Sequence, residues 1–202
     1  MSAPETLRAR TRRAVQSELI AVAQDLFAQR GYETVTVEEI ASAAGMSKRS
    51  FFRYFAGKDE LILGKYDQQG EAFAHALSER PADEPAWLAL RRMFDGVVAY
   101  VADPDKALRA AQLDRIINSS EILRAGYLER MQQVQARIVE VLRARPGVTL
   151  PPLDAAALVA AAFAAMSTAH HHASQAGTHL AEALDAAMDA IATESAPLRP
   201  SN

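Results

Sequence analysis

The sequence predicts a globular, all-α protein. Half of the 202 residues are hydrophobic, so the chain has enough apolar side chains for a globular core. Alanine is abundant, glycine and proline number nine each, and no alternating run of apolar and polar residues indicates a strand. We expect a small N-terminal domain, residues 1–56, followed by a larger helical domain, residues 57–202.

The first helix is predicted over about residues 11–29. Ile20, Ala23 and Phe27 recur at helical spacing and should face the core. Gly31 follows at the position where a left-handed residue closes a helix.

Two short helices joined by a glycine turn are predicted next. Thr36 and Glu39 have the spacing of a capping box, in which each side chain accepts the other residue's backbone N–H, so a helix begins there. Gly45 supplies a helix-ending left-handed conformation. Ser47 is then a favourable N-cap for a second short helix, residues 48–54.

Prolines separate most of the later helices. A segment beginning at Gly57 is long enough to form a helix of roughly 30 Å, at 1.5 Å per residue, and would link the two domains. Asp154 is expected to cap an alanine-rich helix. The helices predicted in this part of the chain span residues 57–79, 85–102, 105–118, 120–143, 154–175 and 178–193.

The second short helix carries residues suited to reading DNA. Lys48, Arg49 and Ser50 lie at its start and Arg53 one turn later, whereas Phe51 anchors it. In a helix-turn-helix the first turn of the second helix meets base edges and phosphates in the major groove.

The charge distribution agrees with this interpretation. The net charge is −3, but residues 1–60 carry nine Lys or Arg against eight Asp or Glu, and the first thirteen residues hold four arginines and one glutamate. We expect a basic N-terminal arm that reaches an adjacent minor groove. A frayed, solvated terminus is the alternative.

From about Leu19 to Tyr66 the chain resembles the TetR family of transcriptional repressors. Two positions depart from the common pattern: the family usually has tyrosine where Phe52 stands, and often histidine where Tyr54 stands. The hydroxyl that often touches a phosphate is therefore missing at Phe52. The residues that carry the resemblance are Ala23, Leu26, Phe27, Arg30, Gly31, Thr36, Val37, Ile40, Ala41, Gly45, Ser47, Phe51, Arg53, Tyr54, Phe55, Lys58 and Leu61.

The resemblance and the residue types together nominate a DNA-binding set. We expect Arg49 to read a base, and Tyr54 and Lys58 to hold phosphates. The full set is Thr36, Ser47, Lys48, Arg49, Ser50, Phe52, Arg53, Tyr54 and Lys58.

The resemblance also implies a homodimer built by the last two helices, which would pack on their two-fold mates as a four-helix bundle. Packing within one chain is the alternative. A two-fold dimer would double the contacts on a palindromic site. The expected interface residues are Leu158, Phe163, Met166, Leu184 and Met188.

A small-molecule effector is implied as well, in a cavity among the central helices. Such cavities are mainly apolar with a few polar groups. The run RIINSSEILR, residues 115–124, is similar to the matching part of mycofactocin-associated regulators, which implies long-chain acyl thioesters as effectors. The candidate ligand-binding residues are Trp87, Phe94, Tyr100, Arg115, Asn118, Tyr127 and Phe163.

Other functions find little support in the sequence. The chain has no cysteine, which excludes a thiol redox sensor and a cysteine-rich zinc site. Three consecutive histidines, residues 170–172, point about 100° apart on a helix and cannot converge on one metal ion. No catalytic motif is present, so we expect no enzyme activity, no metal and no cofactor.

No signal peptide is expected, and the apolar run of residues 155–169 is too short and alanine-rich for a membrane span, so a cytoplasmic protein is predicted.

The sequence thus predicts a dimeric, ligand-responsive repressor that binds a palindromic operator and is released by a small hydrophobic effector. A helical hydrophobe- or lipid-binding protein without a DNA-binding role is the alternative, and an enzyme is a poorer third. Salt-dependent binding to a palindrome distinguishes the first from the others.

Overall fold

The computed structural model describes residues 6–194, and within that range every regular element is a helix. The predicted all-α fold, with a helix-turn-helix near the N-terminus and a larger helical part after it, is confirmed. The helices are α1 (Leu7–Arg30), α2 (Val37–Ala43), α3 (Lys48–Phe51), α4 (Lys58–Ser78), α5 (Ala86–Met93), α6 (Asp95–Val101), α7 (Pro104–Ser119), α8 (Glu121–Ala144), α9 (Pro152–Ala176) and α10 (Leu180–Glu194).

Helix α1 begins four residues earlier than predicted. The side chain of Thr6 accepts a hydrogen bond from the backbone N–H of Ala9 and caps the helix. The arginines at positions 8, 10, 12 and 13 therefore lie on a helix instead of a flexible arm. Residues 1–5 of the predicted arm lie outside the described residues.

The turn between α2 and α3 follows the prediction. Both bonds of the capping box between Thr36 and Glu39 form, and Gly45 has a φ of 68°, a left-handed conformation that other residues rarely adopt. The Ser47 side chain accepts the backbone N–H of Ser50. Helix α3 is shorter than predicted, because residues 52–54 form turns.

The helix predicted over residues 85–102 is divided in two at Phe94. The backbone N–H of Phe94 bonds to the carbonyl of Arg91, three residues back, instead of four. Phe94 is fully buried, and its ring packs edge-on against Phe73 and Phe163 with centroids 5.2 and 5.3 Å apart. The sequence pattern missed this break because long-range ring packing holds Phe94 there.

Asp154 does not cap α9. The helix begins at Pro152, with Pro151 in the N-cap position, so Asp154 lies within the first turn. Proline suits the first helical position because its fixed φ fits the helix and its missing N–H would have no helical partner.

The helices form two compact units. Of the described residues, the first comprises 6–69 and 108–131, so it includes the first half of α4, most of α7 and the first part of α8 beside α1, α2 and α3. It is larger than the predicted domain of residues 1–56, since apolar residues of α4, α7 and α8 belong to the same core. That core contains Leu19, Ile20, Ala23, Phe27, Val35, Ile40, Ala41, Phe51, Phe55, Leu61, Ile62, Leu63, Tyr66, Leu113, Ile117 and Leu123.

The second unit comprises, among the described residues, 70–107 and 132–194. Helices α9 and α10 pack along each other, α5 packs on α9, and α6 lies against α10. The ring cluster of Phe73, Phe94 and Phe163 lies in this unit.

Two of the expected dimer-interface residues are buried inside the single chain. Leu184 and Met188 are 0% and 2% exposed in the single chain, so they form its own core and have no surface left for a partner. Phe163 is half-buried and packs in the ring cluster. Leu158 and Met166 are also half-buried, so these two and Phe163 stay predictions. Several exposed positions on α9 and α10 are alanines, among them Ala160, Ala164, Ala186 and Ala190.

Within residues 6–194, α9 has the length and hydropathy that a membrane span requires. Apolar packing helices of globular proteins can have the same length and hydropathy, and α9 packs on α5 and α10.

Candidate nucleic-acid interface

Helix α3 is positioned by one buried ring at its end and another in the turn after it. Phe51 is fully buried, and Phe55 is 5% exposed with its ring 6.1 Å from that of Phe51. Bonds of helical spacing continue past the end of α3, from the Phe52 N–H to the Lys48 carbonyl and from the Phe55 N–H to the Phe51 carbonyl. Residues four apart therefore still share a face, and burying positions 51 and 55 leaves positions 48, 49, 52 and 53 outward, which we call the outward face of α3 and its following turn. Lys48, Arg49, Phe52 and Arg53 are all exposed.

The three cations on this outward face differ in their partners. Lys48 forms an ion pair with Glu38 of α2. Within residues 6–194, Arg49 and Arg53 make neither a hydrogen bond nor an ion pair. The two arginines can therefore bind an external anion or base edge without breaking a contact of the protein.

Ser50 and Tyr54 are half-buried beside this face. The Ser50 hydroxyl lies 3.0 Å from that of Ser47, so the two form a hydrogen bond. The guanidinium of Arg12 on α1 lies over the Tyr54 ring, 5.6 Å from its centroid. Arg12 was expected in a flexible arm, but it lies on α1 and contacts Tyr54, one of the expected DNA-binding residues.

Thr36 belongs to a polar network at the start of α2. The Glu39 carboxylate accepts the backbone N–H of Thr36 at 2.8 Å, and it also accepts a guanidinium N–H of Arg30 at 2.7 Å. The hydrogen bond from the Thr36 backbone, then the one from Arg30, lowers the pKa of Glu39 to about 2. Arg30 carried part of the family resemblance, but its role in this network was not visible in the sequence.

Lys58 is half-buried and holds the loop before α2. Its Nζ donates to the backbone carbonyl of Tyr32 at 2.8 Å and lies 4.4 Å from the centre of the Tyr32 ring. The Tyr32 hydroxyl in turn donates to Asp59, and burial, then this bond, raises its pKa. A phosphate contact of Lys58 stays a prediction, and in this structure the Lys58 ammonium binds Tyr32.

Sequence reasoning missed a close contact between α4 and α8. A Cβ added to Gly126 on α8 would lie 2.6 Å from the Leu63 Cδ1 on α4, and one added to Gly64 would lie 2.9 Å from the Phe55 ring. Arg130 reinforces the contact, because it donates to Glu60 at 2.7 Å and also bonds Asp67. Nothing in the local pattern around Gly126 indicates which helix it meets.

The seven candidate ligand-binding residues do not form one group within either unit. Trp87, Phe94, Tyr100 and Phe163 belong to the second unit, and Phe94 and Phe163 pack on each other. Arg115, Asn118 and Tyr127 belong to the first. These residues stay predictions.

The first unit holds a polar cluster beside Tyr127. The Tyr127 ring packs edge-on against Tyr66, 4.8 Å away, and burial followed by the Asp114 charge raises the pKa of both hydroxyls. Burial lowers the pKa of neighbouring Lys65, and Asp114 opposes that shift. This combination of apolar rings and placed polar groups resembles the lining of ligand sites.

A groove of about 340 Å³ lies between α9 and α10. Its walls include Thr168 and His172 from α9, and Ala183, Ala186 and Ala187 from α10. Among residues 6–194, no cluster of three or more His, Asp or Glu side chains could hold a metal ion.

Comparison with known proteins identifies the family. The profile of bacterial regulatory proteins of the tetR family matches residues 19–64, which include α2, α3 and the start of α4. The transcriptional regulator TcmR of Streptomyces glaucescens is 38% identical over 149 residues, covering 71% of this chain and 66% of TcmR. The chain belongs to the TetR family.

More distant members agree with this assignment. The TetC protein of transposon Tn10 from Escherichia coli is 27% identical over 96 residues, covering 48% of this chain and 49% of TetC. The matches thus span about half to two thirds of these relatives' length. The structure of FadR from Thermus thermophilus, a TetR family repressor in complex with lauroyl-CoA, superposes with a TM-score of 0.58 at 20% identity, covering 92% of this chain and 97% of FadR. That likeness shows that the fold is shared.

Proposed function

We propose that this TetR family protein is a dimeric, ligand-responsive transcriptional repressor that binds a palindromic DNA operator through α3. The observation that carries the proposal is the outward face of α3 and its following turn, where Arg49 and Arg53 are exposed and have no partner within residues 6–194. An arginine in the major groove can bond two guanine acceptors at once. Such a face supports DNA binding, with Arg49 as the base reader.

The alternative, a lipid-binding protein without a DNA role, does not account for this face. A lipid-binding module needs apolar surface around a cavity, and it gains nothing from two exposed arginines, on a short helix and the turn after it, that have no partner among the described residues. The TetR family match falls on the same helices. TcmR and its relatives are named as regulators, which supports a regulatory and non-enzymatic role in the cytoplasm.

The proposed dimer is formed by exposed surfaces of α9 and α10. Two reading helices must lie about 34–36 Å apart, or a multiple of that, to meet equivalent groove faces. The exposed alanines of both helices, Ala164 and Ala186 among them, permit close approach of a second copy. Leu184 and Met188 support the surface from inside the chain.

The proposed effector is a small hydrophobic molecule bound in the larger helical domain, residues 57–202. Because FadR of T. thermophilus is seen in complex with lauroyl-CoA, acyl thioesters are the first class of effector to test. Effector binding must favour the non-DNA conformation to release the operator, typically by about 1–3 kcal/mol of coupling. Helix α4 is suited to carry the change, since it begins at Lys58, shortly after α3 and the turn that follows it. Its Leu63 and Gly64 also pack tightly, against Gly126 of α8 and the Phe55 ring.

The test is selection of binding sites from random DNA with the full-length protein, followed by affinity measurement at several salt concentrations. We expect a palindrome, and a steep fall of affinity with salt from the phosphate contacts. Arg49→Ala should lose about 1–3 kcal/mol of discrimination at one symmetric position of that palindrome. Ser42→Ala, an exposed position on α2, is the control.

Failure to enrich any sequence would contradict the proposal. An Arg49→Ala consensus identical to that of the wild type would instead remove Arg49 as the base reader.

A further inference from the structure

Phe52, the C-cap residue of α3, is a large apolar side chain exposed on the outward face of α3 and its following turn. It is 48% exposed, and its ring packs edge-on against the fully buried Phe51 ring, with centroids 5.5 Å apart and planes at 88°. The contact with Phe51 supports one side of the ring and leaves the rest open to solvent. An exposed ring that is held in one orientation costs less entropy to place against a partner than a free one does.

The surroundings of Phe52 specify the kind of partner. Lys48 precedes it by one helical turn, and Arg49 and Arg53 lie on the adjacent row. A partner that fits this face must offer negative charge and an apolar group within a few ångströms of each other. Duplex DNA does so at A·T pairs, where the C5-methyl group of thymine projects into the major groove between phosphate backbones.

We infer that Phe52 reads a thymine, by packing its ring against the C5-methyl group of one thymine in each half of the operator. This inference rests on the proposed function. It assigns to Phe52 a sequence-reading role, since the ring has no hydroxyl with which to bind a phosphate. Arg49 and Phe52 would then recognise different positions, one through hydrogen bonds and one through apolar contact.

A different role for the ring is packing against deoxyribose. Sugar contacts are the same at every base pair, so such a ring would add affinity without selecting a sequence. The two roles differ in one measurable property, which is whether the methyl group of a particular thymine matters to the protein.

The experiment uses the operator selected by the wild-type protein. Each symmetric pair of thymines in it is replaced by deoxyuridine, which removes the C5-methyl group and leaves the pairing edge intact. For the pair that Phe52 reads, burial of one methyl group per half-site predicts a weakening of about fourfold per half-site, or roughly 15-fold for the dimer. Other thymine pairs should show smaller changes.

Two variants assign the effect to the ring. Phe52→Ala should bind the thymine operator more weakly and show no difference between thymine and deoxyuridine at that pair. Phe52→Tyr keeps the ring and should keep the difference, even if its hydroxyl raises affinity for all sequences by meeting a phosphate. Because Phe52 is exposed, both variants should melt within a few degrees of the wild type.

Other outcomes overturn the inference. Wild type that binds its operator but tolerates deoxyuridine at every position would show that no methyl group is read. Equal sensitivity of wild type and Phe52→Ala would assign the methyl contact to another residue. If the wild type selects no operator at all, the failure belongs to the proposed function and not to Phe52.

Discussion

The contact between Gly126 on α8 and Leu63 on α4 predicts that Gly126→Ala changes stability with a sign that depends on residue 63. In the wild type the new Cβ would lie 2.6 Å from Leu63 Cδ1, whereas ordinary contacts lie at 3.4–4 Å. Leu63 is 7% exposed, so its side chain has little room to retreat. Overpacking of this kind costs about 1–3 kcal/mol.

Alanine also favours the helix over glycine, by about 1 kcal/mol at an interior position. The net effect of Gly126→Ala should therefore be a destabilisation of about 1 kcal/mol. In a Leu63→Ala background the overpacked atom is gone, and the same substitution should stabilise by about 1 kcal/mol. For a protein of this length each kcal/mol corresponds to about 2–4 °C in melting temperature.

The assay is thermal and urea unfolding of the four proteins of this cycle, at one protein concentration because a dimer melts at a concentration-dependent temperature. Gly96→Ala on α6 is the control, since a Cβ there would meet nothing within 4 Å and should stabilise. A Gly126→Ala effect of the same sign in both backgrounds would refute the close contact. Because Gly64 next to Leu63 touches the Phe55 ring, we also expect Gly126→Ala to weaken operator binding.

Three further predictions concern other parts of the molecule. Lys58→Ala should lower the magnitude of the salt slope of operator binding by about two, one per subunit, if Lys58 leaves Tyr32 to bind a phosphate; an unchanged slope would assign Lys58 to the loop alone. Ala164→Glu, at an exposed position of α9, should give a folded monomer in sedimentation that no longer binds the palindrome, whereas Ala136→Glu on α8 should stay dimeric. Glu39 has a pKa lowered to about 2, so its contribution to stability is present above its unfolded-state pKa and is lost as pH falls from about 5 to 2. Glu39→Gln should flatten the melting temperature over that range, and parallel curves for the two proteins would contradict this.

Local features of the sequence predicted well the caps of α2 and α3 and the turn between them. Thr36, Glu39, Gly45 and Ser47 act through hydrogen bonds and backbone conformations that span at most four residues, so their spacing alone identifies them. The early start of α1 is also a local effect, since Thr6 is a favourable cap that the predicted boundary overlooked.

Features that depend on distant residues were not predictable in this way. Phe163 has the pattern of an interface residue on α9, but its ring also packs on Phe73 and Phe94, which are distant in sequence. Leu184 and Met188 likewise belong to an apolar face, and periodicity cannot distinguish a face that packs within the chain from one that packs on a second copy. The partner of Gly126 is 63 residues away along the chain.

The ion pair between Lys48 and Glu38 has a consequence for how the protein searches a genome. An exposed pair is weak and readily opened, so it does not prevent Lys48 from reaching a phosphate at the operator. Opening the pair offsets part of what each new phosphate contact contributes, on an operator and on random DNA alike. Lys48 should therefore add less to the attraction for any DNA sequence than Arg49 and Arg53, which have no such partner within residues 6–194.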